Sequence, residues 1–163
     1  TDPAAIPGVL WVKGDNVMQG YYKNPEATAA VFDDGWMNTG DICTIDSDGF
    51  LYIRGRDKNM ILGPSGQNIY PEEIEMQLNA MPDIGESLIV ERNGKLVALI
   101  YPDIENAKRQ NMSDSDLANA MKQNVATLNS NLPAYSQIAD YKIMSEEFEK
   151  TPKRSIKRYL YQH

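Results

Sequence analysis

The chain of 163 residues contains one histidine, His163, which is also its last residue. Ser-His-Asp and Cys-His catalysis need an imidazole to take and return a proton, so neither fits this sequence. Histidine-based zinc sites go with them, and no metal-ligand set is assigned. Cysteine is equally scarce. Cys43 is the single example, which excludes an internal disulfide and fits a reducing compartment. Its ordinary role is that of a small buried hydrophobe. No G-x-x-x-x-G-K-[ST] phosphate loop is present. No apolar run approaches the roughly 20 residues that span a bilayer. The first residues lack a basic region followed by an apolar core, so no signal peptide is expected. Chemistry, if any, falls to Lys, Arg, Asp and backbone groups.

Positive charge is in deficit, with 16 Lys and Arg against 23 Asp and Glu and a net charge of -7. That balance argues against broad nucleic-acid binding. The deficit is uneven, because Lys150, Lys153, Arg154, Lys157 and Arg158 fall within nine positions. Such a cluster is either a solvated end or a seat for an anionic partner. With 42% hydrophobic and 24% charged residues, the chain reads as soluble and globular. Its length suits one ordinary domain or two small ones.

The first third reads as short strands and tight turns. Val9 to Val12 is a strand candidate. Asn24 caps a short helix that starts at Pro25. Trp36 to Asp41 leads into a strand over 42–45, and Asp46 to Gly49 turns the chain into Phe50 to Ile53. This segment is too small to bury a good core alone. From Lys58 the pattern changes. Ile74, Leu78 and Met81 mark an amphipathic helix over 71–81. Ile84 to Val90 and Leu96 to Tyr101 form a hairpin around Asn93-Gly94, and 102–112 reads as a polar loop. Ser113, with Asp116 three residues on, resembles a capping box opening a helix whose stripe is Leu117, Met121, Val125, Leu128 and Leu132. A third strand over 138–144 should place Ala139, Tyr141 and Ile143 on one side. A basic loop over 150–155 and a short helix over 156–161 close the chain. The fold class expected is α+β: a short-stranded β-rich segment over 1–57, then a small α+β domain over 58–163 with about three strands and two to three helices.

One stretch ties these parts together. Gly55 to Glu75 contains three charges side by side (Arg56, Asp57, Lys58), a short apolar strand, the turn Gly63-Pro64-Ser65-Gly66, and a helix with Pro71 in its first turn. Alone it could be a surface hairpin leading to a helix. Three further segments lie in order with it: Gly8 to Gly14 with Gly20-Tyr21, Trp36-Met37-Asn38-Thr39-Gly40-Asp41, and Lys150-Thr151-Pro152 to Arg158. Together the four resemble the signatures of adenylate-forming enzymes, a family of acyl-CoA synthetases, luciferases and peptide-synthetase adenylation domains. The chain is similar to their C-terminal part, and Gly63 to Ile69 looks most like the long-chain fatty acyl-CoA synthetases.

The resemblance implies an ATP-dependent, AMP-forming acid-thiol ligase with ATP, Mg2+ and coenzyme A as substrates. Asp41 would take the ribose hydroxyls and Arg56 other nucleotide oxygens. Lys58 would be the hinge about which a mobile C-terminal domain turns. Ser65, Gly66 and Gln67 would lie along the coenzyme A tunnel. Two positions depart from the pattern. Val9 stands where the family has Glu, and Ser155 stands where the tail should carry its catalytic Lys. Lys153 or Lys157 would then supply the charge. Two residues along a helix turn a side chain by about 200°, so either substitution needs a non-helical tail. The resemblance further implies a cytoplasmic enzyme that acts on small molecules. It leaves open a peripheral membrane contact for a lipid substrate. Ser155 also admits another class, a binding or regulatory module without chemistry, and a third reading keeps the enzyme but changes the acid. The phosphate loop, adenine pocket and acid tunnel of the family belong to a larger N-terminal body, which is the expected partner. Residues 1–163 alone should therefore form no acyl-adenylate, and a pyrophosphate-release assay on the isolated chain should stay at background.

Overall fold

The computed structural model describes residues 6–162. The chain divides into two compact units, one up to Met60 and one from Ile61.

The first unit is a small antiparallel sheet. Strand β3 (Trp36–Ile45) runs through its middle and pairs with β1 (Gly8–Val12), β2 (Phe32–Asp33) and β4 (Leu51–Arg56). Helix α1 (Pro25–Ala29) opens as the sequence suggests, with the Asn24 side chain accepting from the Ala27 N–H at 3.0 Å. Burial here is thin. Ile42 and Cys43 are buried, but Phe50, Leu51, Tyr52 and Ile53 are all exposed. A unit with so little interior leaves much apolar surface uncovered, as its size predicts.

The second unit is the α+β body. Its three-stranded sheet has the order β7 (Ile84–Arg92), β8 (Lys95–Pro102), β9 (Ile138–Ile143). The β7–β8 pair is antiparallel around Asn93 and Gly94, both at positive φ as a tight hairpin turn demands. The β8–β9 pair is parallel, which requires a long crossover. The crossover contains α4 (Asp114–Asn131), whose capping box joins Ser113 and Asp116. Helix α2 (Pro71–Asn79) follows the small hairpin β5 (Ile61–Leu62) and β6 (Asn68–Ile69).

Both faces of the sheet are covered. On one, Ile74 and Leu78 of α2 and Met121, Val125 and Leu128 of α4 pack on Ile89, Ala98 and Ile100. On the other, Leu88, Val90 and Leu99 pack with Phe148, and Ile156 and Tyr161 of the C-terminal segment lie against them. Phe148 and Tyr161 meet edge to face at 5.2 Å, a favoured aromatic geometry.

Three local expectations are corrected. Residues 104–109 form a short helix α3 (Ile104–Arg109) rather than loop, capped by Asp103, whose side chain accepts from the Asn106 N–H at 2.9 Å. The terminal helix expected over 156–161 is a single 3-10 turn, Arg158–Leu160. It is cut short because Ile156 pairs with Lys150 as an isolated β-bridge. In β9 a register irregularity opposite Leu96 and Val97 sets Ala139 aside and puts Ile138 in the core, while Tyr141 and Ile143 keep the expected common side opposite Ala98 and Ile100.

Leu78 is fully buried between α2 and the sheet. Leu78→Ala should lower unfolding stability by about 2–5 kcal/mol, read by denaturant titration of the folded protein.

Candidate functional site

The N-T-G-D turn is built by its own side chains. The Thr39 hydroxyl donates to the Leu10 carbonyl at 2.9 Å and accepts from the Asp41 N–H at 3.1 Å. The Asn38 side chain accepts from the Gly40 N–H at 2.8 Å. These bonds aim Asp41 along β3, directly opposite Arg56 of β4 in the sheet register. Arg56 Nη1 donates to Asp41 Oδ1 at 2.7 Å. Glycine is needed between them. Gly40 has φ +71, and a Cβ there would stand 3.2 Å from Arg56 Nη2. The backbone is bare where the guanidinium crosses it. Arg56 Nη1 occupies Oδ1 of Asp41, leaving Oδ2 to accept further hydrogen bonds.

Lys58 lies just after this pair, exposed, in the 3-10 turn Asp57–Asn59.

In the second unit, Ser65, Gly66 and Gln67 form the exposed β5–β6 turn. The Gly66 N–H donates to Gly63 O at 2.9 Å and the Gly63 N–H to Gln67 O at 2.8 Å. Gly66 has φ +83, a conformation that glycine adopts without strain. Pro64 and Ser65 line an open cleft of about 410 Å3 whose other walls include Glu91, Lys95, Tyr135 and Gln137. No residue of the basic tail lines it.

The tail is a tight hairpin. Its Arg154 N–H donates to Thr151 O at 2.8 Å, its Thr151 N–H to Ser155 O at 2.8 Å, and its Lys157 N–H to Glu149 O at 2.9 Å. Arg154 has φ +64. A turn led by proline and followed by a residue in the left-handed region is the pattern of a three-residue hairpin loop. The tail is therefore non-helical around Ser155.

This geometry sorts the five basic residues. Lys150 reaches Glu86 at 2.9 Å and Glu147 at 3.5 Å. Lys157 reaches Glu149 at 3.1 Å. Hydrogen bonds to Glu86 and to Glu149 hold the two ammonium groups above the ordinary lysine range. Arg158 is engaged with Glu75. Lys153 and Arg154, exposed on the turn, have no ion pair among the described residues.

Glu75 and Arg158 are a pairing the sequence reading missed. Arg158 Nη2 donates to both Glu75 oxygens, and Arg158 Nη1 donates to Ile89 O at 3.2 Å. Glu75 Oε1 also accepts from the Ile89 N–H at 2.7 Å. Burial pushes the Glu75 carboxyl up, against the opposing pull of Arg158 and of the Ile89 N–H. A signal existed. Glu75 falls within the helical stripe of Pro71, Ile74 and Leu78, where an acid needs a partner.

Residues 58–162 match the AMP-binding enzyme C-terminal domain family. The chain belongs to that family. Its small α+β body is the family's fold. A long-chain-fatty-acid–CoA ligase of Mycobacterium tuberculosis is 39% identical over 124 residues, which cover 76% of this chain and 21% of that protein. An indoleacetate–CoA ligase of Aromatoleum aromaticum is 43% identical over 102 residues, covering 60% of this chain and 20% of that protein. Among solved structures, an O-succinylbenzoate coenzyme A synthetase from Bacillus subtilis, in complex with AMP, superposes with a TM-score of 0.73 at 26% identity. That match covers 97% of this chain and 30% of the synthetase. The chain thus spans about a fifth of the length of these two ligases.

The Asp41–Arg56 geometry depends on the bare backbone at Gly40. Gly40→Ala should cost about 1–2 kcal/mol, because a Cβ is strained in the left-handed region. It should also shift the Arg56 guanidinium by a few tenths of an ångström, with the cost read by thermal melting and the shift by a crystal structure of the variant.

Proposed function

We propose that the whole protein is an ATP-dependent, AMP-forming acyl-CoA ligase acting on a long-chain fatty acid. This chain is its C-terminal part, with the mobile domain running from 58 to 163. In the first half-reaction a substrate carboxylate oxygen attacks the α-phosphate of Mg-ATP. Acyl-adenylate forms and pyrophosphate leaves. In the second, the thiol of coenzyme A attacks the acyl carbonyl, the bond to AMP breaks, and the thiol proton is lost. Mg2+ enters with ATP, and no residue of this chain is assigned to hold it.

The observation that carries the reading is the Asp41–Arg56 pair on its glycine turn. Arg56 orients the Asp41 carboxylate and neutralises part of its charge. Asp41 Oδ2 accepts from the ribose, and the remaining guanidinium N–H groups meet nucleotide oxygens. Ser65, Gly66 and Gln67 form a turn that lets the pantetheine arm of coenzyme A approach the backbone closely. Lys58 is the hinge between the two half-reactions. The exposed side chains over 50–53 suit a surface covered by the N-terminal body.

Lys153 is the preferred source of catalytic charge. Lys157 is already held by Glu149, whereas Lys153 stands on the exposed turn with no ion pair among the described residues. A cation there would offset charge developing on the α-phosphate and the bridging oxygen. A second reading keeps the chemistry and changes the acid. The similarity to an indoleacetate–CoA ligase and to feruloyl-CoA synthases favours an aryl carboxylate.

In the full-length protein, Lys153→Ala should slow pyrophosphate release by about 10²–10³-fold, while Lys157→Ala should leave it near the parent rate. Activity profiling across fatty and aryl acids separates the two substrate readings.

A further inference from the structure

The tail turn that carries Lys153 is exposed, yet both of its stems are tied down. Before the turn, Phe148 is buried against Leu88, Val90 and Leu99. After the turn, Arg158 is partly buried with Glu75, their side chains only 15% and 12% exposed. This second tie is a closed set of bonds. Glu75 holds Arg158 and accepts from the Ile89 N–H, and Arg158 donates back to the Ile89 carbonyl. Glu72 stands 3.8 Å from the same guanidinium. Residues 83 apart in sequence are thereby joined at one point where helix α2, strand β7 and the tail meet.

Such a knot does more than cover the sheet. An apolar side chain after the turn would cover it as well, and Ile156 and Tyr161 already do so. A planar guanidinium that gives one amino group to a fixed carboxylate and the other to the Ile89 carbonyl defines position and orientation as well as contact. The buried ion pair is a weak source of stability and a good source of geometric uniqueness.

We infer that Glu75 and Arg158 are positioning residues for adenylation, fixing the tail turn and its Lys153 to the same rigid body as helix α2. The role rests on the function proposed above, because it matters only if Lys153 must reach a reacting phosphate. Any swing of the second unit then delivers the turn in one orientation. The β5–β6 turn assigned to coenzyme A has its own hydrogen bonds and does not depend on the tail. The two half-reactions should therefore respond differently when the knot is loosened.

The test uses the full-length protein and two variants. Glu75→Gln keeps an acceptor for the Ile89 N–H and loses the charge. Arg158→Lys keeps the charge and loses the planar group that bonds Glu75 and the Ile89 carbonyl with separate nitrogens. Each should slow acyl-adenylate formation, read by pyrophosphate release, by about 100-fold through misplacement alone. The KM for ATP and the transfer from supplied acyl-adenylate to coenzyme A should stay unchanged. Backbone amides of Thr151, Arg154 and Lys157 should exchange about tenfold faster in the variants, with those of β8 unaffected. Equal losses in both half-reactions indicate a merely structural role and overturn the inference. Unchanged adenylation, or tail amides that do not speed up, overturn it as well. If Glu75→Gln fails to fold, Arg158→Lys carries the same readouts. A parent protein that makes no acyl-adenylate overturns the functional reading and this catalytic role with it. Faster tail exchange in that case shows the fault to lie in the reading and not in the anchor.

Discussion

The β7–β8 hairpin must be dry on both faces, and the second unit is arranged to satisfy that constraint. Leu88, Val90 and Leu99 point one way while Ile89, Ala98 and Ile100 point the other. Two helices can cover one face. The other is left to residues 148–162, which therefore cannot be a loose tail. Phe148, Ile156 and Tyr161 supply the apolar cover. The path they impose folds the intervening segment into a hairpin, and the basic cluster ends up on its turn. Burial of apolar surface, a stability requirement, thus determines where the positive charge is displayed.

Charge is then divided by what lies nearby. Glutamates neutralise Lys150 and Lys157 in place. Glu75 draws Arg158 inward, where the Ile89 carbonyl accepts from Arg158 and the Ile89 N–H donates to Glu75. Of the five basic residues of the tail, only Lys153 and Arg154 on the turn have no ion-pair partner among the described residues. In the first unit the same economy operates on a smaller scale. Thr39 and Asn38 use their side chains to shape a turn, Gly40 leaves a gap, and Arg56 lies across it to reach Asp41. Asp41 stays accessible because its partner engages one oxygen and leaves the other.

Much of this was legible in the order of residues. Periodicity located α2, α4 and the hairpin strands, since a stripe of apolar residues has one solution once it must be buried. Asn93-Gly94 and Ser113 with Asp116 announced their turn and cap through local chemistry alone. The helix at 104–109 was hidden because it is short and polar, and its one cue was Asp103. The terminal helix was misread because Ile156 to Tyr161 has acceptable helical residues. The bridge between Lys150 and Ile156 and the packing of Tyr161 override that weak preference.

By itself, then, the sequence determined the family, the α+β class and the residue types available for chemistry, because motif order and hydrophobic period are properties of neighbours along the chain. Which cations are engaged, which carboxylate is buried, and how Arg56 meets Asp41 were decided by tertiary structure. The Asp41–Arg56 and Glu75–Arg158 pairs join residues 15 and 83 positions apart. Pairings at such range depend on where strands and helices pack, and no local pattern encodes them.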